Sequence, residues 1–216
     1  MTVKISPGNS KLGSIPSVSL PAGITCRTDC DCIKKCYAKK LERIRRSVRE
    51  AYQHNYRVLK ETPDIYWREV EASIMMSRFF RFHVSGDIPD EKYLDKMVHI
   101  AERNPHCEIL CFTKQYDFVA DRITRSLAAN EIFGDGSFDK YEDVIPKNLH
   151  IILSGWDGLE MYNPYKLPEA HVRYKNGETT ARDYAVECGG NCTKCLLTEG
   201  GCWTLKSGEQ VVFNEH

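Results

Sequence analysis

Phe79-Phe80-Arg81-Phe82-His83-Val84-Ser85-Gly86-Asp87 reads as a strand that runs into a polar tip, with aromatic and branched residues first, then Ser, Gly and Asp, and a turn at Pro89. Helical spacing resumes at Tyr93, Met97, Ile100 and Ala101. Glu108-Ile109-Leu110-Cys111-Phe112 is a second strand, and its continuous apolar character predicts burial on both faces. A helix from Tyr116 to Asn130, a Gly-, Asp- and Lys-rich loop over 133–147 and a third strand, Leu149-His150-Ile151-Ile152-Leu153-Ser154, complete the series. Strand, helix, strand, helix, strand is the pattern of parallel crossover units and makes the chain α/β. The strands end in Ser85-Gly86-Asp87, Thr113-Lys114 and Ser154-Gly155-Trp156-Asp157. In parallel sheets the carboxyl ends carry the binding site, so these three tips are expected to line one face.

Upstream, Thr62-Pro63-Asp64 predicts a helix start with an N-cap hydroxyl, and that helix runs through Ile65, Trp67, Val70 and Ile74 to about Ser77. Leu41, Ile44, Val48 and Tyr52 predict a helix that begins directly after Cys36. Its exposed side carries Lys39, Lys40, Arg43, Arg45, Arg46 and Arg49, a solvated basic face or a surface for an anionic partner such as nucleic acid. Residues 1–25, rich in Ser, Gly and Pro, predict an extended arm with at most one short strand. Beyond Pro164 the periodicity fades, with an edge strand expected at Val172-Arg173-Tyr174 and a last strand at Gln210-Val211-Val212-Phe213.

The ten cysteines fall in three groups: 26, 30, 32 and 36; 107 and 111; and 188, 192, 195 and 202. Four thiols within Cys26 to Cys36 exceed what a core needs, and so tight a spacing makes strained disulfide loops but lets thiolates converge on a soft metal. An iron-sulfur cluster, usually a [4Fe-4S] cube, is the first expectation, and tetrahedral zinc is the competing one. Cys188, Cys192, Cys195 and Cys202 include a Cys-x-x-Cys knuckle, and they could close their own zinc site, hold a second cluster, or lend one thiolate to the N-terminal centre. Cys107 and Cys111, on or beside a buried strand, read as core thiols, and Trp203 reads as a shield over Cys202. Ligand-like groups near both termini suggest chain ends that meet.

His83, Ser85 and Asp87 at i, i+2 and i+4 would share one side of an extended strand, where His and Asp could orient a ligand or move a proton; the alternative is a buried His with an Asp that caps a helix. Lys114 could hold a carboxylate or phosphate. Thirty basic and thirty acidic residues cancel, so any nucleic-acid surface must be local. The N-terminus lacks the apolar core of a signal peptide, and no stretch has about eighteen uninterrupted apolar residues, so a soluble, cytoplasmic protein with no membrane partner is expected. A single domain over residues 1–216 is expected, with an arm and cysteine loop at 1–36, βα units at 37–165 and a cysteine-rich segment at 166–216.

A cysteine loop that leads into a helix and then strand-helix units resembles the incomplete parallel (β/α) barrel of radical S-adenosylmethionine enzymes. That resemblance implies three thiolates on a [4Fe-4S] cube, an open iron that chelates S-adenosylmethionine, and a glycine-rich strand tip at its amine, which would fall on His83, Ser85, Gly86 and Asp87. The usual Cys-x-x-x-Cys-x-x-Cys spacing is absent here, because Cys26-x-x-x-Cys30 is followed by Cys32 and Cys36. The chain is also similar to the phage and bacterial gene-product-eighty-eight-like proteins. The likeness lies in Asn9-Ser10-Lys11-Leu12-Gly13, Ile15-Pro16-Ser17-Val18-Ser19-Leu20-Pro21, Cys32-x-x-x-Cys36-Tyr37-Ala38, His83-Val84-Ser85-Gly86-Asp87, and the Cys-x-x-Cys to Cys-Trp segment with Val211-Val212-Phe213 and His216. That second resemblance implies Cys26, Cys32 and Cys36 as the ligand set, with Cys30 as the extra thiol, and it brings no settled reaction.

Overall fold

The computed structural model describes residues 2–198 and 200–215, so His216 lies outside the described residues. Among the described residues, seven strands form one all-parallel sheet: β1 (Ser17–Val18), β2 (Phe79–Phe82), β3 (Glu108–Thr113), β4 (Leu149–Ser154), β5 (Glu169–Arg173), β6 (Val186–Glu187) and β7 (Gln210–Asn214). Their order is β1-β2-β3-β4-β5-β7-β6, which advances in one direction until the last two strands. Crossovers of one hand that step the same way deliver their helices to the same face. The packing agrees. Phe80 and Phe82 of β2, Ile109 and Cys111 of β3 and Ile151 and Leu153 of β4 join one large core with residues from the helices.

After α1 (Tyr37–Ile44) in the chain, those helices are α2 (Arg46–Glu61), α3 (Pro63–Met75), α4 (Glu91–Arg103) and α5 (Tyr116–Phe133). The opposite face has a different cover. Leu110, Ile152 and Val211 pack there with Leu12 and Ile15 from the N-terminal arm and with Trp203. The neighbouring C-terminal segment contributes α6 (Cys192–Leu197), whose start is held by a hydrogen bond from the Cys192 amide to the Lys11 carbonyl. The two ends of the described chain do meet: Lys35 Nζ lies 3.0 Å from Glu215 Oε1.

Several expectations are corrected. The helix after Cys36 breaks at Arg45, which is extended (φ −112°, ψ 101°), and Ile44 is 66% exposed instead of lying on an apolar stripe. The Thr62 hydroxyl does not cap α3; it donates back to the Val58 carbonyl. The strand read as reaching Ser85 ends at Phe82, because His83 takes a left-handed conformation (φ 58°). β5 is no edge strand, since it pairs with both β4 and β7, and the final strand β7 is likewise internal. The 133–147 loop contains a short 3-10 turn at Tyr141–Asp143. No helix among the described residues is long and apolar enough to cross a membrane.

A candidate metal and ligand cavity at the strand tips

The turn after β2 is built by what it must touch. Gly86 has φ 77°, and a Cβ there would lie 2.7 Å from both the Leu20 carbonyl oxygen and Thr25 Oγ1, so the β2 tip passes against the β1 tip only as glycine. Asp87, fully buried, ties this turn to the next strand: its carboxylate accepts from Thr113 Oγ1 at 2.6 Å, from the Ile88 amide at 2.8 Å and from the Lys114 amide at 2.9 Å. Burial pushes its carboxyl above the usual carboxylate range, and these donors oppose the shift. The Ser85 hydroxyl donates to Glu42 Oε1 at 2.9 Å, and the same oxygen accepts from the Ala22 amide, so α1 is fastened to both tips. Lys114 Nζ donates to Ser154 Oγ at 2.9 Å, which joins the β3 and β4 tips.

His83 departs from the picture of three side chains on one side of a strand. Its left-handed backbone turns the ring toward the helical core, 5.3 Å from the Tyr93 ring centroid and 5.9 Å from that of Phe82. Both ring nitrogens are buried without a hydrogen-bond partner. Burial, with the Arg81 charge second, holds its pKa down to about 3, so the imidazole is neutral.

A cavity of about 250 Å³ opens at these tips, lined by Ser85, Gly86, Asp87, Thr113, Lys114 and Ser154 among others. The three expected tips therefore do line one space. Cys26, Cys32 and Cys36 line it as well, and Cys30 does not. The local fold accounts for this division. Cys30 caps the 3-10 turn at Asp31–Lys35 and is buried, its sulfur accepting from the Cys32 amide at 3.4 Å. Cys36 caps α1, accepting from the Lys39 amide at 3.4 Å, and Cys26 accepts from the Gly23 amide at 3.4 Å. Burial pushes the Cys26 thiol up to about 11. A thiol-thiol hydrogen bond between Cys30 and Cys32 lowers the pKa of Cys30 and raises that of Cys32, so the pair favours one shared proton.

The C-terminal thiols form a separate group under the sheet. Cys188, Cys192, Cys195 and Cys202 all pack against the inner core that contains Trp203, whose indole meets Phe79 edge-on at 5.4 Å. A Cβ on Gly201 would sit 2.9 Å from Cys195 Sγ, so the chain turns tightly around that sulfur. Burial pushes the Cys202 thiol up to about 12, with neighbouring Cys188, Cys192 and Cys195 adding to the shift. Cys107 and Cys111 are fully buried in the helical core, as expected of core thiols. Among the described residues, no three His, Cys, Asp or Glu side chains stand close enough together to hold a metal ion as they are. The thiols of each group are gathered but not closed.

Some residues in and around the cavity, Arg81 and His171 in its lining and Glu42 and Glu169 beside them, left no sequence signal. Arg81 looks like an outward strand residue, Glu42 like one more charge on a helix, and Glu169 and His171 fall where periodicity had faded; the His171 ring lies 3.1 Å from Glu169 Oε2, which contributes most to holding that carboxyl down at about 2.

Fold and site together define a class: an α/β protein whose parallel sheet presents a cavity lined by clustered thiols at its carboxyl edge. The chain belongs to the Gene product 88 family, whose model matches residues 3–202. It is similar to the Gene 88 protein of Mycobacterium phage L5, 28% identical over 122 residues that make up 50% of this chain and 51% of that protein. It is likewise similar to the Gene 88 protein of Mycobacterium phage D29, 31% identical over 102 residues, 40% of this chain and 42% of that one. The chain thus spans about half the length of these curated relatives. No solved structure matches it.

Proposed function

We propose that Cys26, Cys32 and Cys36 hold an iron-sulfur cluster at the strand tips, and that the open side of the cavity admits a small ligand such as S-adenosylmethionine. One observation carries this reading: three thiols of one loop line the same cavity as the polar tips of β2, β3 and β4, while Cys30 is not among the lining residues and accepts from the Cys32 amide. The donor set suits the group, because soft thiolates within one short loop are what such clusters take, and each of the two outer thiols has a backbone amide directed at it. Three thiolates leave one iron of a cube without a protein ligand. When bound with S-adenosylmethionine, such a cluster supplies one-electron chemistry that generates a radical able to abstract hydrogen.

The chain's own residues have simpler tasks. Gly86 lets the β2 tip approach, Asp87 fixes that tip to Thr113 and Lys114, and Ser85 with Glu42 fixes it to α1. Lys114 presents a cation at the cavity wall. The consecutive strand order, with helices on one face, supports an incomplete (β/α) barrel as the architecture.

A second reading rests on the other thiol group. Cys188, Cys192, Cys195 and Cys202 around Trp203 suit a closed, four-cysteine metal site, zinc or a second cluster, that ties the C-terminal segment to the sheet. The two readings are separable. Anaerobic purification followed by iron, acid-labile sulfide and zinc analysis is expected to give iron with sulfide, lost in Cys32→Ala or Cys36→Ala and retained in Cys192→Ala. Zinc without sulfide in the wild type would discard the iron-based reading.

A further inference from the structure

Arg81 lies on the inner face of the sheet, in a row across it with Ser17 of β1 and Leu110 of β3. Its guanidinium sits over the Phe112 ring, 4.9 Å from the centroid, and its Nε is buried with no hydrogen-bond partner. No described acid pairs with it. Lys11 approaches from the N-terminal arm, its Nζ 4.7 Å from the centroid of Phe213, and it too has no ion pair among the described residues. Phe112 and Phe213 meet edge-on at 5.6 Å, so the two cations flank one aromatic pair, and all four side chains line the strand-tip cavity.

The acids of that cavity are already engaged. Both oxygens of Asp87 are taken by Thr113, Ile88 and Lys114. Glu215 is paired with Lys35. Rings hold the two cations in place by their faces, which leaves the N–H groups of Arg81 and Lys11 without an anion to receive them. A buried donor without a partner is the mark of a missing acceptor, and a planar guanidinium matches the two oxygens of a carboxylate or phosphate.

We propose that Arg81 and Lys11 bind the oxyanion, carboxylate or phosphate, of a small organic ligand whose apolar body lies against Phe112 and Phe213. A volume of about 250 Å³ fits a molecule of roughly one ring with its charged group. The recognising residues come from the sheet and the arm, and they share the cavity with Cys26, Cys32 and Cys36.

The test is calorimetric titration of the full chain at fixed ionic strength with benzoate, phenyl phosphate and the neutral benzyl alcohol. At least one anion is expected to bind roughly tenfold or more tightly than the alcohol, and the stronger of the two names the oxyanion. Arg81→Gln is expected to weaken that anion by a similar factor, and Lys11→Gln to weaken it as well; Lys11 is only half buried, so its variant decides the matter where Arg81→Gln does not fold. Iron and sulfide contents of Arg81→Gln and Lys11→Gln are expected to match the wild type, which separates loss of this site from loss of the thiol centre. Absence of anion binding, equal binding of the alcohol, or wild-type affinity in both cation variants would each overturn it.

Discussion

At the residue scale, two positions of the cavity wall are set by burial and backbone. His83 is neutral because the core excludes its charge, with a folded pKa near 3 against an ordinary 6.5. A base depressed in this way is fully stabilising only above the unfolded value, and the unfolded chain takes up the extra proton as pH falls from 6.5 toward 3. Stability should therefore drop by about 1.4 kcal/mol per pH unit below 6.5 on account of this one ring. Urea unfolding of wild type and His83→Phe at pH 7 and pH 5 checks it: the wild type should lose about 2 kcal/mol more than the variant. Parallel losses would mean that the ring is solvated. Gly86→Ala places a methyl group 2.7 Å from the Leu20 carbonyl at φ 77°, and should cost about 2 kcal/mol or more. An unchanged urea midpoint for that variant would contradict the close approach of the two tips.

At the scale of elements, the cysteine loop and α1 act together. Because Cys30 is occupied in capping the turn at Asp31–Lys35, Cys30→Ser keeps an acceptor there and should be the mildest of the four changes in metal content, while Cys32→Ala and Cys36→Ala abolish loading. Metal analysis of the series decides, and complete loss in Cys30→Ser would show that the ligand set is a different three. Much of this was legible in the sequence. Continuous apolar runs marked β3 and β4, and the helix start after Cys36 stood where the spacing put it. The breaks were not legible. Arg45 sits between two apolar series that join smoothly at helical spacing, so nothing local announces its extended backbone. Position 83 is not the glycine that normally flags a left-handed residue, which is why the strand reads three residues too far, to Ser85 instead of Phe82. β5 looks like an edge because the sequence does not show which strands flank it, and pairing order is a property of the whole sheet.

Across the whole molecule, the sheet works as a wall with unlike covers. Helices close one face, and the N-terminal arm with the cysteine-rich C-terminal segment closes the other, Trp203 packing in one cluster with Leu12 and Ile15 of the arm and the four C-terminal thiols. Trp203→Ala should therefore cost about 3–5 kcal/mol and loosen both terminal segments together. Hydrogen exchange would register this as faster exchange at Ser17 and Cys192 alike; a change confined to the C-terminal segment would mean that the arm docks by itself. The basic stripe belongs to this scale too. Lys40, Arg43 and Arg45 are exposed without an ion pair among the described residues, whereas Arg46 is paired with Glu50 at 2.6 Å, so the surface is smaller than the six cations in the sequence suggest. Binding to generic nucleic acid, if it supplies the function, must weaken steeply with salt, and Arg43→Ala should reduce that slope.

The central claim is an iron-sulfur centre with an open side, held by Cys26, Cys32 and Cys36 at the strand tips. Electron paramagnetic resonance of the anaerobically purified, reduced protein, recorded with and without S-adenosylmethionine, tests it most directly. The account predicts a four-iron signal that shifts when S-adenosylmethionine is added. A signal that stays unshifted would mean a cluster closed by a fourth ligand, and no iron signal at all would contradict the centre itself.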